Sequence, residues 1–448
     1  MRGEFHPTRR WAIVAGGSAV LASCTPAQKA TPGPTIFFFP PPSSPRVVTD
    51  VAPPRAVVRA YENQPLYWFD QSGSPTSKGR NLYQLLYAAT SDGLYAGHYL
   101  TADLIEVGAL NSIDTVSLRA TDQALTTGLY YYARDLTEGR YNPNPSGDDT
   151  IFKMGLEASS ILTWYRDAQP AGRSYQALKK YLRDDSISEK RASLIALNLE
   201  RLRWAPEGNW SQHPNIRVNI AAAEVEAFDG RRLEQTMRGV LGRVDRQTPR
   251  LVSPVLDLKF SPDWTIPDTI MQRDYIPLLV ENPDALDPEV YQVLVRDGPA
   301  RKIYDWTKIS AEDVFIRRAS SDAGPLGGVR FSMYNSNDIF LHDTPHKDLF
   351  SLDQRFYSSG CVRLERAEDL AVWVLSKQLR RTPRKEIAER MRAGETSEIL
   401  LDRRIEVSLQ YMTIWEDGSG RLRMAPDVYE LDAALADQMG LQLMDFTD

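Results

Sequence analysis

Apolar residues recur at helical spacing through the first half of the chain and at alternate positions through much of the second. Leu82, Leu85, Leu86 and Ala89 form one stripe ending before Gly93, and Leu125, Leu129, Tyr132 and Leu136 form another ending before Gly139. Each predicts an amphipathic helix that buries one face. A third helix is predicted from "SISE", where Ser186 and Glu189 have capping-box spacing, through Leu194, Ile195, Leu199 and Leu202 towards Trp204. Farther on the period falls to two. Ile216, Val218 and Ile220 alternate with Arg217 and Asn219, and Val329, Phe331 and Met333 alternate before the turn-like Asn335 to Asn337. Ile405, Val407, Leu409 and Tyr411 repeat the pattern, with turns expected at Asp229-Gly230 and Asp417-Gly418. A helix is expected from about Arg366 to Leu379. The fold class is therefore α+β: a helical scaffold domain over 55–207, then a predominantly β domain over 212–448. Its proline-rich stretch at 253–307 predicts a helical, lid-like insertion.

Composition narrows the partners. The 448 residues are 42% hydrophobic, enough to bury more than one core. The 53 Lys and Arg against 59 Asp and Glu give a formal charge of −6, and no long basic run tracks a phosphate backbone, so nucleic acid is not an expected partner. The first residues carry Arg2, Arg9 and Arg10, then the apolar run Trp11 to Leu21. That run is too short for the ~20 residues of a membrane-spanning helix and reads as an export signal over 1–23. Leu21-Ala22-Ser23-Cys24 resembles a bacterial lipobox, which implies lipidation of Cys24 and a membrane anchor; "TRRWAIV" also resembles a weak twin-arginine signal. The rest of 24–54 is rich in proline and reads as an extended tether.

These features change the meaning of the cysteines. The chain has two, and if Cys24 is lipidated, Cys361 is the remaining thiol of an exported protein. "DIFLH" places His342 at the end of a strand, and "YSSGCV" places Cys361 after a glycine. A histidine near a cysteine supplies the base that a thiol of ordinary pKa ~8.5 needs at neutral pH. Backbone N–H groups around Gly360 and Cys361 can receive an oxyanion. Asp343 follows His342 directly and points to the other strand face, so a backbone carbonyl is the expected orienter of the imidazole. Two other readings stay open on spacing alone. His342, His346 and Cys361 could ligate zinc, although Pro345 keeps the histidines off a shared helix face, or His342 and Cys361 could be core residues.

The stretch "FLHDTPHKDLFSLDQRFYSSGCVRLERAEDLA" resembles the active-site motif of L,D-transpeptidases, the YkuD-type catalytic domain, and most closely a branch of long murein enzymes carrying "LHDTP" and "SSGCVR". "YENQPLYW", "ALNLERLRW", "IRVNIAAAEVEAF", "PDWTIPDTI" and "GPLGGVRFSMYN" extend the likeness over most of the chain after the tether. Ser359 stands where most members have histidine, Phe340 where tyrosine is frequent, and the peptidoglycan-binding domain often inserted before "NLER" is absent.

The resemblance implies Cys361 as nucleophile, His342 as proton acceptor and donor, and Gly360 at the oxyanion. Arg363, Ser359 and Ser358 would bind substrate, without metal or organic cofactor. It implies attack on a peptidoglycan tetrapeptide, loss of D-Ala, and transfer of the acyl group to a diamino acid on a neighbouring stem peptide, giving a 3-3 cross-link. Hydrolysis of the same acyl-enzyme, as an L,D-carboxypeptidase or amidase, and a non-catalytic wall-binding lipoprotein are the alternatives. The expected place is the bacterial cell envelope, lipid-anchored and facing the periplasm. Thr25 after Cys24 gives no Asp-type retention signal, which mildly favours the outer membrane where the source has one.

Overall fold

The computed structural model describes residues 52–62, 64, 66–184, 186–204, 213–296, 305–320, 324–441 and 443. The signal-like start, Cys24 and nearly all of the tether lie outside them.

The first two apolar stripes form helices Ser77–Tyr87 and Leu118–Glu138. Their Leu82, Leu85, Leu86, Leu125, Leu129, Tyr132 and Leu136 share one core with Trp68, Tyr99, Phe152 and Ile161. Truncating one such leucine to alanine costs about 2–5 kcal/mol. Thr76 caps the first helix by accepting from Gly79 N at 3.0 Å. Asp122, buried inside the second, accepts from the backbone N–H groups of Tyr67, Trp68 and Phe69, so one carboxylate pins the "LYWF" segment.

Helix Glu189–Trp204 departs from expectation in two ways. Ser188, not Ser186, provides the cap: Arg191 N donates to Ser188 Oγ at 3.4 Å, while Ser186 Oγ donates to Asp184 at 2.7 Å. The Asp184 turn captures Ser186 before it can reach the helix. Packing also sets this helix apart from the scaffold core, because Leu194, Ile195, Leu197, Leu199 and Leu202 join the core of the β-sheet. Its "SLIALNL" is buried on every side, with Asn198 hydrogen-bonded to Thr413. Charges that this burial would strand are paired: Arg201 with Asp432, and Arg203 with Glu200 and the Tyr175 hydroxyl.

Among the described residues the strands follow in order: β1 Pro214–Asn219, β2 Glu224–Asp229, β3 Arg232–Gly242, β4 Leu251–Phe260, β5 Trp264–Thr265, β6 Tyr291–Val295, β7 Val314–Arg318, β8 Val329–Met333, β9 Leu341–His342, β10 Phe356–Ser358, β11 Val362–Leu364, β12 Ser397–Gln410, β13 Ile414–Glu416 and β14 Leu422–Met424. Nine make the main sheet, in the order β10-β3-β11-β9-β8-β4-β12-β1-β2. Strand β3 also pairs with β2, so the sheet closes on itself and its interior side chains form the core. Helix Ala367–Ser376 packs into that core through Leu370, Ala371, Val374 and Leu375. The polar positions of β1 are buried too: Arg217 pairs with Glu226 and donates to Ser174 Oγ at 3.1 Å.

The insertion differs from a helical lid over 253–307. Residues 253–260 belong to β4 in the middle of the sheet, where Pro254 lies opposite Glu406. The separate unit starts at β5 and ends at β7, and it contains a three-stranded sheet β5-β7-β6 beside the helical stretch 268–281. Its own small core holds Ile266, Met271, Leu279, Trp306, Val314 and Ile316. Short strands separated by prolines carry too little alternation to reveal such a sheet.

Candidate active site

Strand pairing brings His342 and Cys361 to one wall. Strands β9 and β11 run parallel with Leu341 opposite Val362 and His342 opposite Arg363. Leu341 and Val362 point into the core and are fully buried. By alternation Phe340, His342, Cys361 and Arg363 face the other way, all four lining a cavity of about 740 Å³. Cys361 thus lies diagonal to His342, at a Cα separation of roughly 8 Å from strand spacing and rise, within reach of two side chains. The far wall comes from the insertion, through Trp264, Ile270, Asp274, Tyr275, Leu278 and Tyr291.

His342 is buried, and its Nδ1 lies 2.5 Å from the carbonyl oxygen of Asp343. A carbonyl can only accept, so the proton sits on Nδ1 and Nε2 is left as the basic nitrogen. Burial pushes the imidazole down to about 3; Arg363 next to it and Arg330 beyond work in the same direction, against the Asp343 carbonyl and carboxylate. The Asp343 carboxylate turns away, accepting from Gly328 N at 2.9 Å and pairing with Lys347 at 2.6 Å. His346 is exposed.

The Cys361 thiol donates to the Asp338 carbonyl at 3.7 Å. Burial raises it to about 11, with the Phe340 backbone N–H and the two arginines opposing. The side chain of Asn335 closes the loop above it, accepting from Ile339 N at 3.0 Å, and Asp338 sits there at a φ of +54°. At neutral pH the resting pair is therefore a thiol and a neutral imidazole.

The residues before Cys361 divide in role. Ser358 is buried at the cavity wall, but its hydroxyl is consumed within the turn: it donates to Cys361 O at 2.6 Å and accepts from Gly360 N at 3.1 Å. A substrate-binding role for that hydroxyl has no proton left to serve it. Ser359 is exposed in the cavity and accepts from Arg246 at 3.1 Å. Gly360 takes a φ of +117°, which L side chains rarely adopt, and its N–H is turned onto Ser358 Oγ. The Cys361 N–H has no hydrogen-bond acceptor among the described residues. Arg363 is half-buried with Nε unpartnered, and burial lowers its pKa.

Arg330, opposite His342 on β8, is the cation that motif reading passed over, although the alternation of Val329, Phe331 and Met333 already set it on the other face. Its guanidinium lies 5.2 Å from the Phe340 ring. Thr248 and Arg246 also reach the turn before Cys361, and nothing in their local sequence announces it. No group of three His, Cys, Asp or Glu side chains suited to a metal occurs among the described residues.

A histidine at the end of β9 and a cysteine just before β11, beside a backbone N–H without an acceptor, form an arrangement that can carry thiol acyl transfer. Residues 214–387 match the L,D-transpeptidase catalytic domain family, and residues 55–182 match the family described as Scaffold domain. The chain thus carries an L,D-transpeptidase catalytic domain preceded by a scaffold domain. A Haemophilus influenzae protein provisionally named an L,D-transpeptidase is 29% identical over 255 residues, covering 56% of this chain. The match spans 49% of that relative, about half its length. Among solved structures, an L,D-transpeptidase from Mycobacterium smegmatis is 11% identical with a TM-score of 0.23, over 44% of this chain and 58% of that one. L,D-transpeptidase 3 from Mycobacterium tuberculosis is 14% identical with a TM-score of 0.21, over 44% and 61%. Overlaps this slight define neither fold nor activity.

Proposed function

We propose that this chain is a peptidoglycan L,D-transpeptidase that works through a Cys361 thioester. The observation that carries the reading is the β9–β11 register, which sets Cys361 diagonal to a histidine whose Nδ1 is held by a carbonyl. In the proposed first step, the sulfur attacks the carbonyl between the third residue of a stem tetrapeptide and its terminal D-Ala, and His342 Nε2 takes the thiol proton. The developing oxyanion faces the Cys361 N–H. As the intermediate collapses the C–N bond breaks, and the proton on His342 goes to the departing amine of D-Ala. An acceptor amine from a diamino acid on a second stem then gives its proton to Nε2 and displaces the sulfur, forming the 3-3 cross-link; the departing thiolate takes that proton back from His342, restoring the thiol and the neutral imidazole.

Arg363, half-buried with an unpartnered Nε, suits a substrate carboxylate. Cleavage by water instead of an amine would make the same site a carboxypeptidase. The apolar and aromatic wall of the insertion, with Trp264, Ile270, Tyr275 and Leu278, favours transfer because it limits water around the thioester. We also propose that Cys24 is lipidated and that the chain faces the periplasm, on the strength of its signal-like start.

The test is incubation of the purified chain with tetrapeptide-rich muropeptides, read by mass spectrometry beside Cys361→Ala. New 3-3 dimers that vanish in the variant support transfer. Tripeptides alone mean hydrolysis, and no covalent adduct at Cys361 with no product rejects both. Labelling with a radioactive fatty acid, lost in Cys24→Ser, tests the anchor.

A further inference from the structure

The segment after β3 wraps the turn that carries the nucleophile. Arg243 N donates to Ser358 O at 3.0 Å, Arg246 donates to Ser359 Oγ at 3.1 Å, and Thr248 Oγ1 donates to Gly360 O at 2.7 Å. Three consecutive residues before Cys361 are thus each held by one residue of the 243–248 segment.

Thr248 has the least freedom of the three. It is 3% exposed, and its Oγ1 also accepts from Gly242 N at 2.9 Å. A hydroxyl has one proton, and Gly242 N–H brings its own, so the threonine proton is committed to the Gly360 carbonyl. The backbone of Thr248 is fixed as well. Its N–H donates to Tyr429 OH at 3.2 Å, and that hydroxyl donates to Gly242 O at 2.6 Å. Tyr429 is itself buried and stacked on Tyr411 at 5.4 Å between centroids.

The consequence lies on the other side of one peptide bond. No cis peptide occurs among the described residues, and in a trans peptide the C=O and N–H point in opposite directions. With the Gly360 carbonyl drawn onto buried Thr248, which does not line the cavity, the Cys361 N–H is aimed away from it. The Gly360 N–H has meanwhile gone to Ser358 Oγ, so of the Gly360 and Cys361 N–H groups it is that of Cys361 that is left for an oxyanion. We infer that Thr248 is a positioning residue for acyl transfer, which sets the Gly360–Cys361 peptide so that the Cys361 N–H meets the charge developing on the substrate carbonyl oxygen. The inference rests on the thiol acyl-transfer reading of the site, but not on peptidoglycan as its substrate.

Two small electrophiles separate this role from a merely structural one. With p-nitrophenyl acetate, the sulfur forms a bond to the acyl carbon, the thiol proton passes to His342 and p-nitrophenolate leaves, so an oxyanion develops on the way. With iodoacetamide, the sulfur displaces iodide at a saturated carbon and no oxyanion forms. Both reactions are followed on the full chain by mass spectrometry of the Cys361 peptide, which keeps Cys24 out of the signal.

Thr248→Val, which keeps the shape and removes the hydroxyl, should slow acylation by about tenfold or more, given that losing an oxyanion donor costs about 100-fold or more. Its alkylation rate should stay within about twofold, and Thr248→Ser should restore acylation. Loss of both rates in step, or acylation unchanged in Thr248→Val, overturns the inference. If Thr248→Val does not fold, Thr248→Ala with the same two probes decides on the same terms. The acetate ester is not a stem peptide, so failure to cross-link muropeptides with a normal Thr248 result counts against the substrate alone.

Discussion

His342 and Arg363 face each other across the parallel pair β9–β11, and Arg330 stands opposite His342 on the other neighbouring strand, β8. The imidazole therefore has a cation on each side. Burial is the first reason that it stays neutral, and Arg363 the second.

Replacing Arg363 by Met, which keeps the apolar stem and removes the charge, should raise the His342 pKa from about 3 towards its ordinary range. The base acts when neutral, so the acid limb of the acylation rate should move to higher pH. Titration of His342 by NMR in both chains checks the shift, and an unmoved or lowered value rules the assignment out.

Cys361 is raised to about 11, so no thiolate–imidazolium pair should exist at rest. The rate of alkylation by iodoacetamide is expected to climb with pH beyond 8.5, where a free cysteine is already half ionised. A rate plateau between pH 6 and 8 would instead reveal a preformed ion pair.

Gly360 occupies a φ of +117°, and a Cβ there would stand 3.2 Å from Ile339 Cδ1. Gly360→Ala should cut acylation by about fivefold or more, since such backbone strain costs on the order of 1–3 kcal/mol. Adding Ile339→Val relieves the contact but not the dihedral, so the double variant should stay slow. Recovery in the double variant would mean that crowding, not backbone conformation, sets the requirement.

Arg246 links the insertion to the turn before Cys361, making a bidentate pair with Asp274 while it donates to Ser359. Asp274 is partly exposed, so Asp274→Asn should cost less than about 1 kcal/mol of global stability. Hydrogen exchange in the 268–281 helical stretch should nevertheless speed up, because the pair ties it to the sheet. Unchanged exchange there would show that the small core of the insertion holds it without the pair.

His98 is buried edge-on to Tyr95 and Tyr99 with neither ring nitrogen partnered, and burial, then Arg140, pushes it down to about 3. An unfolded histidine takes up its proton near ~6.5, so between the two values the unfolded chain binds more protons. Stability should therefore fall as pH drops from about 6.5 towards 3, with His342 adding to the loss in the same window. The thermal midpoint measured across that range should fall less steeply in His98→Phe. An unaltered slope would remove His98 from the account.

Much of this was legible in the amino-acid order. The stripes of Leu82 to Ala89 and Leu125 to Leu136 and the alternation of Val329 to Met333 are local signals, because 3.6- and 2-residue periods repeat within one element. Asp229-Gly230 and Asn335 to Asn337 mark their turns by residue type alone. The residues around His342 and Cys361 carried the likeness to a family, since chemistry demands particular side chains at particular spacings. Ser186 misled, because its own turn offered a nearer partner than the helix.

Other features depend on pairings between distant segments, which local periods do not encode. The closure of β3 on β2, the parallel register of β9 with β11, and the burial of helix Glu189–Trp204 against the sheet were decided in three dimensions. So was the place of Thr248. In "RQTPR" it is one more loop threonine, and only the fold carries its hydroxyl to the carbonyl beside Cys361. Sequence determined which groups could do chemistry, because reactivity belongs to residue types. Tertiary structure decided which way their peptides and protons point, because orientation is set by hydrogen bonds between segments far apart in the chain.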